Sequence, residues 1–343
     1  MKRLRPGARN ARPRWKKGAF ALRYESTDRM TILFAVQDMD PSPWRARLAA
    51  LLPDHKVAVL GEAFDRDAIR YALAWRHPPG ALQDLPNLKV IFSLGAGVDH
   101  LFADPALPEA PIVRVVDPDL RDRMSEWVVL HALAHLRRLR LYERRQRERI
   151  WADDEAQPKA SDLQVGMLGL GVLGRDAAGK LKALGFRVAG WSATPKVLDG
   201  VETFHGRYGL ARLLAQTDML VVLLPLTPDT RGLVDAGLIA RLKQGGPLGG
   251  PVLINAGRGG LQAESDVVDA LESGLLKGAS LDVFEREPLP AESPLWSYPN
   301  VYVSPHNAAV TSPGPVAAAI ARQIEAFERG EPLENVVDRA RGY

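Results

Sequence analysis

Cysteine is absent from the 343 residues of this chain. That excludes disulfides, cysteine-ligated zinc and thiol catalysis, and it agrees with a reducing cytoplasm. No stretch approaches the roughly 20 uninterrupted apolar residues that a membrane span requires, so a transmembrane helix is not expected. Acidic residues are scarce at one end only: the first 29 positions hold ten Lys and Arg against two Asp and Glu. The remaining positions hold 35 basic and 39 acidic residues, a balance of −4, so the formal charge of +4 arises entirely from that end. A nucleic-acid or membrane-surface role therefore has no support in the overall charge. Residues 1–29 also lack the apolar core of a secretory signal, and with a single serine they are a poor transit peptide. They read as a disordered basic extension ahead of Met30.

What remains has the composition of an ordinary globular protein, 46% hydrophobic and 25% charged, with length for about two domains. From Thr31 the pattern is α/β. Short apolar runs at Ile32–Val36, Val57–Leu60, Ala72–Trp75, Val90–Leu94 and Ile112–Val116 read as buried strands. Helical spacing lies between them near Trp44–Leu52 and Asp65–Ile69. A second series of strands is expected at Met219–Leu224, Val252–Asn255, Ala279–Val283 and Val301–Ser304, with helices near Leu210–Ala215, Asp235–Leu242 and Glu264–Ser273. This alternation predicts two doubly wound parallel sheets. Ser125–Trp151 reads as one long helix, and a final helix near Pro315–Arg329 is expected to return to the first sheet.

The second unit is organised around Val165–Gly174, VGMLGLGVLG. An apolar strand runs into a G-x-G-x-x-G turn made by Gly169, Gly171 and Gly174, followed by a helix and by another apolar strand, Phe186–Trp191. In such a turn the first glycine permits the tight bend, the second lets the backbone approach a pyrophosphate, and the third lets helix and strand lie close. The N–H groups of Val172 and Leu173 would then face the diphosphate at the helix N-terminus. The acid that normally holds the ribose hydroxyls of NAD at the end of the second strand is missing; Ser192 stands there. Ser192, Thr194 and Lys196 offer hydroxyls and a cation to a 2′-phosphate, so NADP is expected in preference to NAD, which stays open because no arginine occupies this loop.

Three later segments each place a polar residue just past an expected strand: Arg258 in NAGRG, Glu287 in LDVFEREP and His306 in SPH. Strand ends of an open α/β sheet form the ligand crevice, so the three can converge. Together with LGAGVDH at 94–100, LPLTPDT at 224–230 and the closing DRARGY, these motifs resemble the D-isomer-specific 2-hydroxyacid dehydrogenase family, nearest its glyoxylate/hydroxypyruvate reductase branch. The resemblance covers nearly everything from Thr31 to Tyr343 and implies a flavodoxin-like substrate domain beside a Rossmann domain. It implies a catalytic trio at Arg258, Glu287 and His306, with Asp282 near the nicotinamide carboxamide and the turn at Ala96 and Gly97 holding a substrate carboxylate. Leu224, Pro225, Thr230, Ala256 and Ala308 would complete the cofactor site.

The chemistry asks for these residue types. Reduction of a 2-oxo acid needs a proton donor, for which His306 oriented by Glu287 is suited, and a cation on the carboxylate, for which Arg258 is suited. Trp75 and Trp44 are candidates for the substrate pocket wall, with core packing the alternative reading. The expected partition is residues 30–120 with 309–343 for substrate and 121–308 for cofactor, hinged near Pro118 and Ala309, and the family implies a homodimer. Relative to that family, Gly257, Asn307, Ala193 and the glycine-rich loop Gln244–Pro251 are departures that remove no catalytic group. A phosphoglycerate dehydrogenase would carry an acid at position 192, a formate dehydrogenase would carry Gln in place of Glu287, and a dinucleotide-sensing corepressor would not need the trio. His131 and His135 share one face of the long helix, but with Ala132 between them and no third ligand evident no metal site is expected.

Overall fold

The computed structural model describes residues 30–37, 39–153 and 157–343; the basic extension at 1–29 lies outside them. In chain order the first sheet comes from β1 (Thr31–Val36), β2 (Lys56–Val59), β3 (Ile69–Trp75), β4 (Val90–Ser93) and β5 (Ile112–Val113), with α1 (Ser42–Leu51) and α2 (Asp99–Phe102) among them. Every pairing is parallel and the strand order is β2-β1-β3-β4-β5, the flavodoxin-like winding. Two helices follow, α3 (Pro118–Leu136) and α4 (Leu139–Glu148).

The second sheet uses β6 (Gln164–Leu168), β7 (Arg187–Ser192), β8 (Glu202–His205), β9 (Met219–Val222), β10 (Val252–Asn255), β11 (Gly278–Leu281) and β12 (Val301–Val303). Helices α5 (Val172–Ala183), α6 (Gly206–Leu214), α7 (Ala236–Ile239) and α8 (Glu264–Glu272) connect them, and α9 (Pro313–Glu328) follows. The order is β12-β11-β10-β9-β6-β7-β8, again all parallel. Counting from β6, that is the Rossmann order with one further strand, and the winding reverses between β6 and β9. Strands β9, β10 and β11 are buried along their whole length, as sheets covered by helices on both faces require.

The final helix does return to the first sheet. Val316, Ala317, Ile320, Ala321 and Ile324 of α9 pack with Leu48 and Trp44 of α1 and with Phe34, Tyr71 and Phe92 of the strands. The tail then pairs beside β5, with the Val337 N–H donating to Ile112 O at 2.8 Å.

Several expected elements differ. Asp65–Ile69 is a turn leading into β3, because the Asp65 side chain accepts the Asp67 N–H (3.0 Å) and so favours a turn over a helix. The long helix from Ser125 begins earlier, at Pro118, where Asp117 accepts the Leu120 N–H, and it breaks at Arg138, whose φ is 52°. No glycine or proline marks that break. Beyond it the Arg140 guanidinium donates to Val301 O at 3.0 Å and lies 4.4 Å from the centre of the Tyr302 ring, so a tertiary contact redirects the chain. Strand β8 was not expected at all: it is a short polar edge strand, with little apolar signal to read. Trp44 is fully buried, with its ring centre 6.0 Å from that of Phe34. It is a core residue and not a wall of the substrate pocket.

Candidate active site

The glycine turn has the expected geometry. Gly169 has φ +106°, and a Cβ there would meet Leu223 O at 2.7 Å. A Cβ on Gly174 would collide with the Gly169 carbonyl oxygen, so α5 lies on the turn as closely as its backbone allows. Gly171, by contrast, faces open space within 4 Å. It caps α5 without a side-chain hydrogen bond, leaving the first N–H groups of the helix directed at that space, with Val172 partly exposed beside it. These are the features a dinucleotide diphosphate needs.

The adenosine end is less as expected. Ser192 is buried and donates its hydroxyl proton to Thr194 O (2.7 Å), so it shapes its own loop. Thr194 and Lys196 remain for a 2′-phosphate. On the other side of β6, Leu224 and Pro225 begin a loop that Thr230 closes: its hydroxyl donates to Pro225 O at 2.7 Å and accepts the Thr227 N–H at 2.8 Å. Ala256 and Ala308 are buried beside the same sheet.

Asp282 follows β11 and is buried, and burial raises its pKa. It accepts from Ser304 Oγ (2.6 Å) and from the N–H groups of Asn307 and Ala308 (both 3.0 Å). Its backbone carbonyl accepts the His306 N–H at 2.8 Å. The carboxylate therefore holds the loop that presents His306, whose φ of 53° gives it a left-handed conformation.

His306 Nδ1 is 2.8 Å from Glu287 Oε2, which leaves Nε2 for another partner. Glu287 Oε1 accepts the Phe284 N–H at 3.2 Å. Burial alone would raise the Glu287 pKa, but the His306 hydrogen bond and charge, the Phe284 N–H and Arg76 together hold it at about 2. Arg258, just past β10, spans to the first sheet. Its Nε donates to Asp99 Oδ1 (2.9 Å), its Nη1 to Gly257 O (2.8 Å), and its outer face lies on Gly97, where a Cβ would be 2.7 Å from Cζ. The turn carrying Ala96 and Gly97 is shaped by Ser93, whose hydroxyl donates to Gly95 O at 3.0 Å. Trp75 lies against Gly95, since a Cβ there would overlap the six-membered ring of the indole, and its ring centre is 4.5 Å from that of His100. Burial lowers the His100 pKa to about 4, so this ring is a neutral part of the wall.

Arg258, Ala96 and Gly97 are thus brought together, as are Glu287 and His306. Three neighbours escaped the sequence reading: Asp99, His100 and Arg76, whose Nη2 donates to Glu287 Oε2 at 2.9 Å. Arg76 sits just past β3, so the strand-end rule that selected the trio could have found it. His131 and His135 do not converge on a metal. His131 packs on Trp127 with ring centres 4.0 Å apart, His135 is 2.8 Å from Ser280 Oγ, and burial lowers both pKa values. Among the described residues no group of three or more His, Asp or Glu is placed to hold a metal ion.

Comparison with known proteins agrees with this architecture. Residues 129–308 match the family described as D-isomer specific 2-hydroxyacid dehydrogenase, NAD binding domain. A glyoxylate/hydroxypyruvate reductase A of Escherichia fergusonii is 40% identical over 320 residues, covering 92% of this chain and all of that one. Among solved structures, an NADPH-dependent glyoxylate/hydroxypyruvate reductase from Sinorhizobium meliloti, in complex with NADP and sulfate, is 49% identical with a TM-score of 0.87 over 92% of this chain and 100% of that one. A probable 2-hydroxyacid dehydrogenase from Rhizobium etli, in complex with NADP, HEPES and L(+)-tartaric acid, is 47% identical with a TM-score of 0.86 over the same shares. With its two parallel sheets, its glycine turn and a relative of 40% identity matched along its full length, this chain belongs to the D-isomer specific 2-hydroxyacid dehydrogenase family.

Proposed function

We propose that this protein is an NADPH-dependent reductase of small 2-oxo acids, converting glyoxylate to glycolate and hydroxypyruvate to D-glycerate. The observation that carries the reading is the Glu287–His306 pair, with its free Nε2, beside an arginine seated on the Gly97 turn. Relatives of the same name, two of them described above, support the substrate class, and neighbours solved with NADP support the cofactor.

When bound, the dinucleotide supplies the hydride. Gly169, Gly171 and Gly174, with the N–H groups of Val172 and Leu173, would hold its diphosphate, and Thr194 and Lys196 its 2′-phosphate. Leu224, Pro225, Thr230, Ala256, Asp282 and Ala308 would surround the remainder. Arg258 grips the substrate carboxylate against the Ala96–Gly97 turn and polarises the carbonyl. His306 donates a proton from Nε2 to the carbonyl oxygen while Glu287, ionised on Nδ1, stabilises the imidazolium and holds the ring in place. Trp75 walls the pocket. Residues 30–120 with 309–343 act as the substrate unit and 121–308 as the cofactor unit, closing about Pro118 and Ala309.

A homodimer is part of the same proposal. Leu130 of α3, Leu139 of α4, and Ile150 and Trp151 beyond it are exposed, Trp151 completely, and a second copy of the chain would cover them. The absence of cysteine suits a cytoplasmic site of action, and no described helix is long and apolar enough to cross a membrane. The test is steady-state oxidation of NADPH and NADH with glyoxylate, hydroxypyruvate, pyruvate and phenylpyruvate, alongside sedimentation of the protein. Fast NADPH-dependent turnover of the first two is expected. Dinucleotide binding without turnover on any acid would overturn the proposal in favour of a sensing role.

A further inference from the structure

Arg76 is held in place by more than its own contacts. Its backbone is left-handed, φ 45°, a conformation that costs a non-glycine residue on the order of 1 kcal/mol or more and persists only where the surroundings impose it. The surroundings are visible on both sides. Trp75 lies against Gly95, and His77 is completely buried with Nε2 3.1 Å from Asp104 Oδ2. Asp104 also accepts the Gly80 N–H at 3.0 Å, which fastens the far end of the segment. Two anchors thus force the intervening residue to point outward, and the outward direction is across the cleft. Arg76 Nη2 reaches Glu287 Oε2 at 2.9 Å and stands 3.3 Å from His306 Nδ1.

The Oε2 atom of Glu287 therefore receives two donors, one from each sheet. The Arg76 bond helps keep the Glu287 carboxylate ionised and oriented. We propose that Arg76 is a positioning residue for the proton donor: from the substrate-side sheet it completes the Glu287–His306 pair and fixes the carboxylate that orients the imidazole. This rests on the assignment of His306 as the acid. The charged groups that face His306 are Glu287 beside it, Asp282 beneath its loop and Arg76 from the opposite sheet. The Arg258 charge is matched by Asp99. Removing Arg76 withdraws one of the two donors on Glu287 Oε2 while leaving the loop and the Glu287–His306 bond in place.

The experiment compares Arg76→Gln, Arg76→Lys and His306→Gln in the full-length protein. In each, kcat and KM are measured with glyoxylate at saturating NADPH, and melting temperatures show that each variant is folded. Arg76→Gln is expected to lose turnover and not substrate affinity. Its kcat should fall up to about tenfold, with little change in the KM of the 2-oxo acid. Arg76→Lys should restore most of the wild-type kcat. An unchanged kcat and KM in Arg76→Gln, or a KM raised with kcat intact, would overturn the proposal, the latter marking Arg76 as a substrate clamp. A His306→Gln enzyme that still turned over would instead overturn the assignment of the acid itself.

Discussion

Substituting Gly97 by alanine adds one methyl group and tests how Arg258 is held. The Gly97 backbone needs no glycine conformation, so the substitution introduces no backbone strain; the new Cβ simply occupies space taken by the guanidinium, 2.7 Å from Cζ. Ordinary contact begins near 3.4 Å, so Cζ must retreat by roughly 0.7 Å and Nη2, which the methyl would overlap, by more. The arginine cannot do this and keep both its Nε bond to Asp99 (2.9 Å) and its Nη1 bond to Gly257 O (2.8 Å). A misplacement of about 1 Å in a group that grips the substrate costs roughly a hundredfold in rate, or about 2.7 kcal/mol. We therefore expect kcat/KM for glyoxylate to fall by about two orders of magnitude in Gly97→Ala, with the melting temperature shifted by no more than about 4 °C. Because the damage is routed through one side chain, the double variant Gly97→Ala/Arg258→Ala should be scarcely worse than Arg258→Ala. A Gly97→Ala enzyme within threefold of wild type, or fully additive losses in the double variant, would show that Arg258 does not work from its seat on this turn.

In the glycine motif, Gly174→Ala should lower the melting temperature by more than about 4 °C, since a rigid carbonyl stands in the way and such overpacking costs about 1–3 kcal/mol. Gly171→Ala should leave it unchanged while weakening NADPH binding at least about tenfold in a fluorescence titration, because its Cβ meets only the ligand's space. Trp44→Ala should cost about 3–5 kcal/mol in urea unfolding while the folded fraction retains its kcat/KM, as befits a fully buried core residue. Glu287 is held at about 2 against an ordinary value of 4.5. Its depressed pKa contributes on the order of 3 kcal/mol that is fully present above 4.5 and is lost as the pH falls through 2. Urea unfolding between pH 5 and pH 2 should accordingly show a shallower acid loss in Glu287→Gln, and equal slopes would contradict the pairing.

Part of this molecule could be read along the chain, because the relevant signals are local. A buried parallel strand is an apolar run, so β6, β9, β10 and β11 announce themselves. The glycine turn is legible for the same reason: Gly169, Gly171 and Gly174 act on atoms within the same strand-turn-helix unit or the strand beside it. Arg258, Glu287 and His306 were found by a rule about strand ends, and the family motifs reinforced it. Residues with the same local signature met different fates. Trp44 and Trp75 are both tryptophans near strand ends, yet α9, more than 260 positions later in the chain, closes over the first and leaves the second at the cleft. The break at Arg138 has no glycine or proline to mark it, since it follows from where Tyr302 and Val301 hold Arg140.

Ser192 shows the same boundary on a smaller scale. That no acid occupies the end of β7 is a property of the sequence, and it removes the charge that would repel a 2′-phosphate. Where the hydroxyl proton of Ser192 goes depends on how the loop closes, and it goes to Thr194 O. Pairing across the cleft is further still from the sequence: Arg258 meets Asp99 from 159 positions away, and Arg76 meets Glu287 from 211. Periodicity and turn chemistry, which act over a few residues, sufficed for two parallel α/β units, a dinucleotide turn and a set of polar strand ends. Which of those ends share one hydrogen-bond network was decided by the packing of the two sheets, because hydrogen bonds and charge act through distances in space that chain separation does not encode.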